Sequence, residues 1–459
     1  MSSTATTPWA LSRTENVPAK LKRLTFWAFV LIAVFCVSTM IGYGEHRFAV
    51  KTVGDDAAPS VFLAHEIKND VLNMDASIVN YLIAKPGENY AAFKDFITYR
   101  TDLTDKQVQA AQDSTFGDAE KVPLVKIQEA MVEYEVALQS ARDKHERGDF
   151  AFLASYRQAL DILESRIIPA ADDLEKANVD ALTSAYNHQN AYSWLTLFMN
   201  FASGAVLVAF LIYTQSYLRR RFNTSYSGLI CAGIILAASF TVFTSIAYIN
   251  ESRHLYGAKE KAYDSIVILM DARALAYDAN AAESRWLLDV PMRKKHEEQF
   301  INSIAQVSNL QNGVTFAVAE NEAKLHASMQ RSTMVGKLAD ELNNITFEGD
   351  RDAATEALHW FGLYVGIAAQ VRYLENTGHH AEAVALAIGS EQNQSNWAFD
   401  SFDKALGKAL QIKQTWFDRY VASAKGDIAM IWEIALVQSI LQALLFIFAL
   451  RPRTREYPV

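Results

Sequence analysis

The sequence predicts an all-α protein: four transmembrane helices carrying two tandemly repeated extracytoplasmic helical-bundle domains. Three observations lead there. Four apolar runs, Leu24 to Gly44, Trp194 to Tyr213, Leu229 to Ile249 and Ile428 to Leu450, are each long enough to cross a hydrocarbon core of ~30 Å as a helix. Lysine and arginine cluster in the short segments on one side of those runs, and the two long segments between them share short matches in the same order.

The elements follow in order: tail 1–23, span 24–44, outer bundle 45–193, span 194–213, basic loop 214–228, span 229–249, outer bundle 250–427, span 428–450 and tail 451–459. The first tail carries Arg13, Lys20, Lys22 and Arg23, the loop carries Arg219, Arg220 and Arg221, and the last tail carries Arg451, Arg453 and Arg455. Basic residues in short flanks mark the cytoplasmic side, so both termini are expected inside a cell membrane that the chain crosses several times. With Glu15 and Glu456 counted, these segments carry +3, +3 and +2, so the formal charge of −9 leaves about −17 for the rest. An acidic exterior argues against nucleic acid as a partner.

The first run has the basic flank of a signal peptide, but it ends in Gly42-Tyr43-Gly44 with no A-x-A pattern, so it reads as a retained span. The two cysteines, Cys36 and Cys231, fall within apolar runs, and no disulfide is expected in the outer domains. The first and third spans begin 205 residues apart, at Leu24 and Leu229. Each is followed by a charged collar, Glu45-His46-Arg47 and Glu251-Ser252-Arg253-His254. Asp75-Ala76 then matches Asp278-Ala279 at an offset of 203, and Pro86 matches Pro291 at 205. Arg142 and Gly148 match Arg372 and Gly378 at 230, which places an insertion of about 25 residues around Asn312 to Arg351.

From Pro59 to Ala84 the spacing is helical, with Pro59 suited to a first turn. Breaks are expected at Lys85-Pro86-Gly87, Val122-Pro123, Arg147-Gly148-Asp149 and Pro169, and in the second domain at Val290-Pro291, Gly313, Phe347-Glu348-Gly349 and Gly378. No alternating strand pattern of comparable length competes. The outer helices run into the following spans without a Pro- or Gly-rich linker, which permits a piston or rotation to pass along them.

The candidate ligand- or partner-binding residues are Asp75, Asp271, Asp278, Glu283, Arg285 and Asp289. Asp271, Asp278 and Arg285 recur every seven residues and share one helical stripe, beside an apolar face of Met270, Ala274, Tyr277, Ala281 and Leu288. Such a stripe serves either as an ion pair between bundle helices or as a grip on a charged ligand. Arg219, Arg220 and Arg221 serve topology and anionic membrane lipids, or dock a cytoplasmic protein. Within the spans the polar positions are Glu433, expected to reach the outer surface or a partner, and Asn200, with Gln438 and Gln442, expected to bond between helices. His379-His380 lacks metal-site spacing, and no P-loop, Gly-x-Ser-x-Gly or zinc-protease motif occurs. The expectation is therefore no metal, no cofactor and no enzymatic activity.

The four-pass layout, TVGDDAAPSVFLAHEIK after the first span and ANAAESRWLLD after the third resemble the actinobacterial GlnX-type membrane proteins. That resemblance implies a transmembrane signal relay. Outside, it would read a GlnH-like solute-binding lipoprotein for aspartate and glutamate; inside, it would control a PknG-like Ser/Thr kinase that adjusts 2-oxoglutarate and glutamate metabolism. The inner segments are too short to fold as an output domain, so a relay is expected to recruit its effector. Two other classes stand beside it: a direct small-ligand sensor like a chemoreceptor bundle, and a transporter or channel, for which four spans with one ionisable residue make a poor pore. A homodimer would enlarge the small membrane core.

Overall fold

The computed structural model describes residues 17–114, 117–222, 226–325 and 328–455. Arg13, Glu15, Glu456 and the side chain of Arg455, all part of the charge count, lie outside what is described, as do residues 223–225 of the basic loop. The described chain is almost wholly helical, and it folds as two compact units.

The first unit comprises residues 17–48, 188–253 and 424–455. It holds the apolar parts of four helical stretches long and apolar enough to cross a membrane: Val17–Ile83, Phe152–Phe222, Gly228–Leu288 and Ser395–Arg453. Inward faces interlock through Leu21, Ile32, Phe35, Leu207, Leu211, Phe240 and Phe446. Outward faces leave Phe26, Trp27, Val37, Trp194, Phe198, Ile235 and Val437 exposed, an apolar belt suited to lipid rather than water.

Small and polar residues bring the helices close, because packing and hydrogen bonds replace the hydrophobic effect in lipid. Asn200 is fully buried; its Oδ1 accepts from Thr39 Oγ1 at 3.0 Å and its Nδ2 donates to Thr244 Oγ1 at 2.8 Å. Gln438 and Gln442 are buried too. Glu433 is exposed in the first turn of its helix, where the helix dipole favours a carboxylate. The fourth run is not one helix, since residues 429–430 form a turn just before Ile431–Arg455. At Gly204 a Cβ would meet Thr241 Cγ2 at 2.8 Å. Gly204→Val is therefore expected to cost about 1–3 kcal/mol by overpacking, read as a lower Tm of the detergent-purified chain; an unchanged Tm would refute so tight a crossing.

The two collars meet inside this unit. His46 and Glu251, 205 residues apart, form a fully buried pair, with Gln189 Nε2 at 2.9 Å from the imidazole Nδ1 and Thr196 Oγ1 at 3.2 Å from Nε2. The imidazole stacks on Tyr248 at 4.4 Å.

The second unit comprises residues 49–187 and 254–423, so the two outer segments, expected as two bundles, pack as one body. Its helices include α1 (the end of Val17–Lys51), α2 (Ala58–Ile83), α3 (Tyr90–Asp113), α4 (Asp118–Glu146), α5 (Phe152–Ile162) and the start of α6 (Ile168–Phe222). After α7 (Gly228–Tyr256) come α8 (Asp264–Leu288), α9 (Arg293–Val307), α10 (Phe316–Lys324), α11 (Lys337–Asn343), α12 (Asp350–Asn376), α13 (His380–Ile388) and α14 (Ser395–Ile428). Helices α2 and α8 are buried along nearly their whole lengths and pack on each other. Each segment then adds its own core: Leu63, Met74, Ile127, Tyr134 and Tyr156 in the first, Ile266, Leu338, Phe361, Phe399 and Phe402 in the second.

The expected breaks at Val122-Pro123 and Pro169 are absent, while Pro59 does sit in the first turn of α2 as expected. Pro59 and Pro169 each follow a wide, i→i+5 turn, at Thr52–Ala57 and Leu163–Ile167, and the helix carries on through both. A widened turn absorbs the missing N–H and the ring that would otherwise clash with the preceding turn. A third wide turn, Gly257–Tyr263, lies about 205 residues after the first and has no proline beside it. Pro123 also lies inside a helix, near the start of α4, where it costs a single backbone bond. Gly148 (φ +70°) and Gly378 (φ +84°) do end helices, in the left-handed conformation that glycine adopts without a steric penalty. Between α9 and α12 lie two two-residue strands, Asn309–Leu310 and Met334–Val335, paired antiparallel. Strands that short leave no periodicity to read.

Candidate functional site: a charged cavity on α8

Arg285 is the largest fully buried side chain of the second unit, 2 % exposed, on the last turns of α8. Its guanidinium faces three carboxylates: Asp75 of α2 at 3.4 Å, Asp278 of α8 at 3.4 Å and Glu164 at 3.9 Å. Asp75 and Asp278, matched positions of the two segments, therefore share one cation. Tyr156 donates to Asp75 Oδ1 at 3.2 Å. Burial pushes the Asp75 carboxyl above its usual range, against the pull of Arg285, and it pushes the Tyr134 and Tyr156 phenols up as well.

Around Arg285 opens a cavity of about 470 Å³. Its charged lining is balanced: Lys68, Arg285 and Lys337 against Glu164, Asp271 and Asp278. Gln299 and Gln306 add amides, while Leu72, Leu163, Ile168 and Leu275 supply an apolar wall. Asp278 accepts from Gln299 Nε2 at 2.8 Å and Ser303 Oγ at 2.7 Å. Two turns earlier on α8, Asp271 accepts from Lys337 Nζ at 2.6 Å. Lys68 pairs with Asp172 at 2.6 Å.

Of the six residues expected from sequence, the structure brings four together here: Asp75, Asp271, Asp278 and Arg285. The other two have separate partners. Glu283, fully buried, accepts from Ser395 Oγ at 2.9 Å and lies 3.8 Å from Arg372; burial raises its carboxyl above the ordinary range. Asp289 takes a bidentate pair from Arg157 at 2.5 and 2.8 Å, joining the two segments, and that hydrogen bonding holds it below the usual carboxylate range despite the opposing effect of burial. Lys68, Glu164, Gln299 and Lys337 were not singled out in the sequence. Lys337 and Gln299 sit in segments whose only mark is polarity, and only packing against α8 gives them a role.

One cluster near the cavity has metal-ligand chemistry. Atoms of His65, Glu175 and Asp271 lie within 4.8 Å of one another. The two carboxylates already face ammonium groups, Glu175 with Lys68 at 3.7 Å and Asp271 with Lys337. Desolvation holds the His65 imidazole below its usual range, against the opposite pull of the two acids. The lysines thus supply the charge that a cation would.

In the first unit, Arg219, Arg220 and Arg221 are exposed at the end of α6. Arg220 and Arg221 line a recess of about 460 Å³ with Tyr213, Ser216 and Tyr217. Arg219 lies over the Tyr226 ring, 4.7 Å from its centroid.

Four helices long and apolar enough to cross a membrane are compatible with a multi-pass membrane protein. The particular resemblance is local: residues 49–187 match the family model of the actinobacterial sensor domain, the same stretch that forms the first segment of the second unit. That match supports a sensing or signalling role for the chain. No curated protein and no solved structure matches it.

Proposed function

We propose that this protein is a transmembrane sensor whose outer helices take a small charged ligand in the Arg285 cavity and pass its occupancy through the four spans. The observation that carries this reading is a buried guanidinium held at 3.4–3.9 Å from three acids beside a cavity of about 470 Å³. Pockets of that size, apolar with a few convergent polar groups, are the usual form of small-ligand sites. In this reading the chain is a tandem of two span-bundle-span units with both termini and the arginine loop cytoplasmic. The tandem is supported by the wide turns about 205 residues apart and by Asp75 and Asp278 meeting on one arginine.

The relay implied by the resemblance is the second reading: a GlnH-like lipoprotein docks outside and a PknG-like kinase is controlled inside, with Arg219 to Arg221 as the inner contact. An apolar stripe favours it. Val122, Val125, Val132 and Val136, 50–68 % exposed, recur at helical spacing on α4 within the matched sensor segment, and exposed apolar faces of this kind suit protein partners.

Two measurements separate the readings. The gene is deleted and phosphorylation of the kinase's substrate is followed after adding external aspartate or glutamate; an unchanged response overturns the relay. Calorimetry of the detergent-purified full chain with small ligands then reports heat without any partner if the chain senses directly, and none if it only relays.

A further inference from the structure

Two residues that line the cavity each carry a buried polar atom without a hydrogen-bond partner. Arg285 Nε is a buried donor with no hydrogen-bond acceptor, and Gln299 Oε1 is a buried acceptor with no donor. Both belong to residues that line the cavity, and both residues are tied to one carboxylate: Gln299 donates to Asp278 at 2.8 Å, and Arg285 lies 3.4 Å from it. A buried polar atom left unpaired is costly, so two on residues of one cavity mark places where a partner belongs.

The two demands are of opposite kind. The free N–H calls for an acceptor and the free amide oxygen for a donor. Because both flank Asp278, a single molecule meeting both must carry its own acceptor and donor a few ångströms apart. The charges say the same. Arg285 is held only at 3.4–3.9 Å by its acids, none of them in a close two-pronged pair. Asp278 and Glu164 stand beside it for a cation, and the charged lining as a whole is three against three. A ligand of net charge either way would leave that balance broken in a partly desolvated place; a zwitterion keeps it.

We propose that the cavity binds a small zwitterion of the α-amino-acid type, its carboxylate on Arg285 and its ammonium on Gln299 Oε1 and Asp278. Its side chain lies along Leu72, Leu163, Ile168 and Leu275. This rests on the direct-sensor reading and adds the ligand class to it.

The test is calorimetry of the full chain in detergent against the twenty standard amino acids, followed by the best binder's des-amino acid and decarboxylated amine. The expected result is binding by at least one amino acid, with both truncated analogues at least tenfold weaker. Gln299→Met, which removes the free acceptor together with the amide donor to Asp278, should weaken the amino acid at least tenfold, whereas Ser303→Ala, which removes only a donor to Asp278, should weaken it less. Lys408→Ala, whose partner Glu356 does not line the cavity, should leave affinity as it is. Equal binding of the acid or the amine alone overturns the zwitterion class and leaves the sensor reading standing. No heat from any amino acid overturns the proposal, and the deletion experiment then decides separately whether the chain signals.

Discussion

Arg285→Met is expected to lower the stability of the second unit by about 3–5 kcal/mol, the usual cost of leaving a buried charge without its partner. Methionine fills much of the volume, so the loss is electrostatic rather than a cavity. Asp75, 1 % exposed, would keep only the Tyr156 hydroxyl at 3.2 Å. Its carboxyl is already held above the usual range by burial, with Arg285 as the main opposing influence; without Arg285 it rises further. A carboxyl raised in the folded state contributes stability at low pH that disappears as pH rises through the folded value. The deficit of Arg285→Met should therefore be smallest at acid pH and grow toward neutrality. Adding Asp75→Asn removes the stranded charge and should recover most of the loss. Thermal unfolding of the full chain in detergent from pH 4.5 to 8 reads all three outcomes, and a single substitution that leaves Tm unchanged at pH 8 would show that Asp75 does not depend on Arg285.

Much of this architecture could be read from the chain, for definite physical reasons. The four spans announce themselves because about twenty uncharged apolar residues have no other economical place. The heptad spacing of Asp271, Asp278 and Arg285 placed them on one stripe, and the stripe does line the cavity. The sequence left open whether it makes ion pairs or grips a ligand. The structure has the ion pairs, and the unmet Arg285 Nε keeps the second use open.

What could not be read was long-range. Proline at position 169 is a break signal only while the ladder stays i→i+4, and a wide turn removes the conflict without any local mark in the sequence. Asp75 takes its arginine from the other segment, 210 positions away. Pairing between the two segments is invisible to a reading that treats each segment alone. His46 with Glu251 repeats the same lesson in the first unit.

Lys413→Met should cost as much, about 3–5 kcal/mol, and for a related reason. The ammonium of Lys413, on α14, is fully buried between Glu341 of α11 at 3.0 Å and Asp350 of α12 at 2.5 Å. It also donates to Ser265 Oγ and to the Asn344 carbonyl, both at 3.2 Å, and lies over the Phe347 ring. One cation thus pins four helices, α8, α11, α12 and α14, and methionine would leave two acids facing each other in the core. Burial, with Asp350 beside it, already pushes the Glu341 carboxyl up to about 8, even against Lys413. Because that value is raised from 4.5, the stability Glu341 contributes is complete near pH 4.5 and is lost as pH climbs to about 8. Glu341→Gln keeps the shape and cannot ionise. It should flatten the decline in Tm between pH 5 and 8 and unfold later than wild type at pH 8, whereas Lys413→Met should unfold earlier throughout. A Glu341→Gln chain that follows the wild-type pH profile would mean that Glu341 is ionised in the fold and that Lys413 serves two full charges.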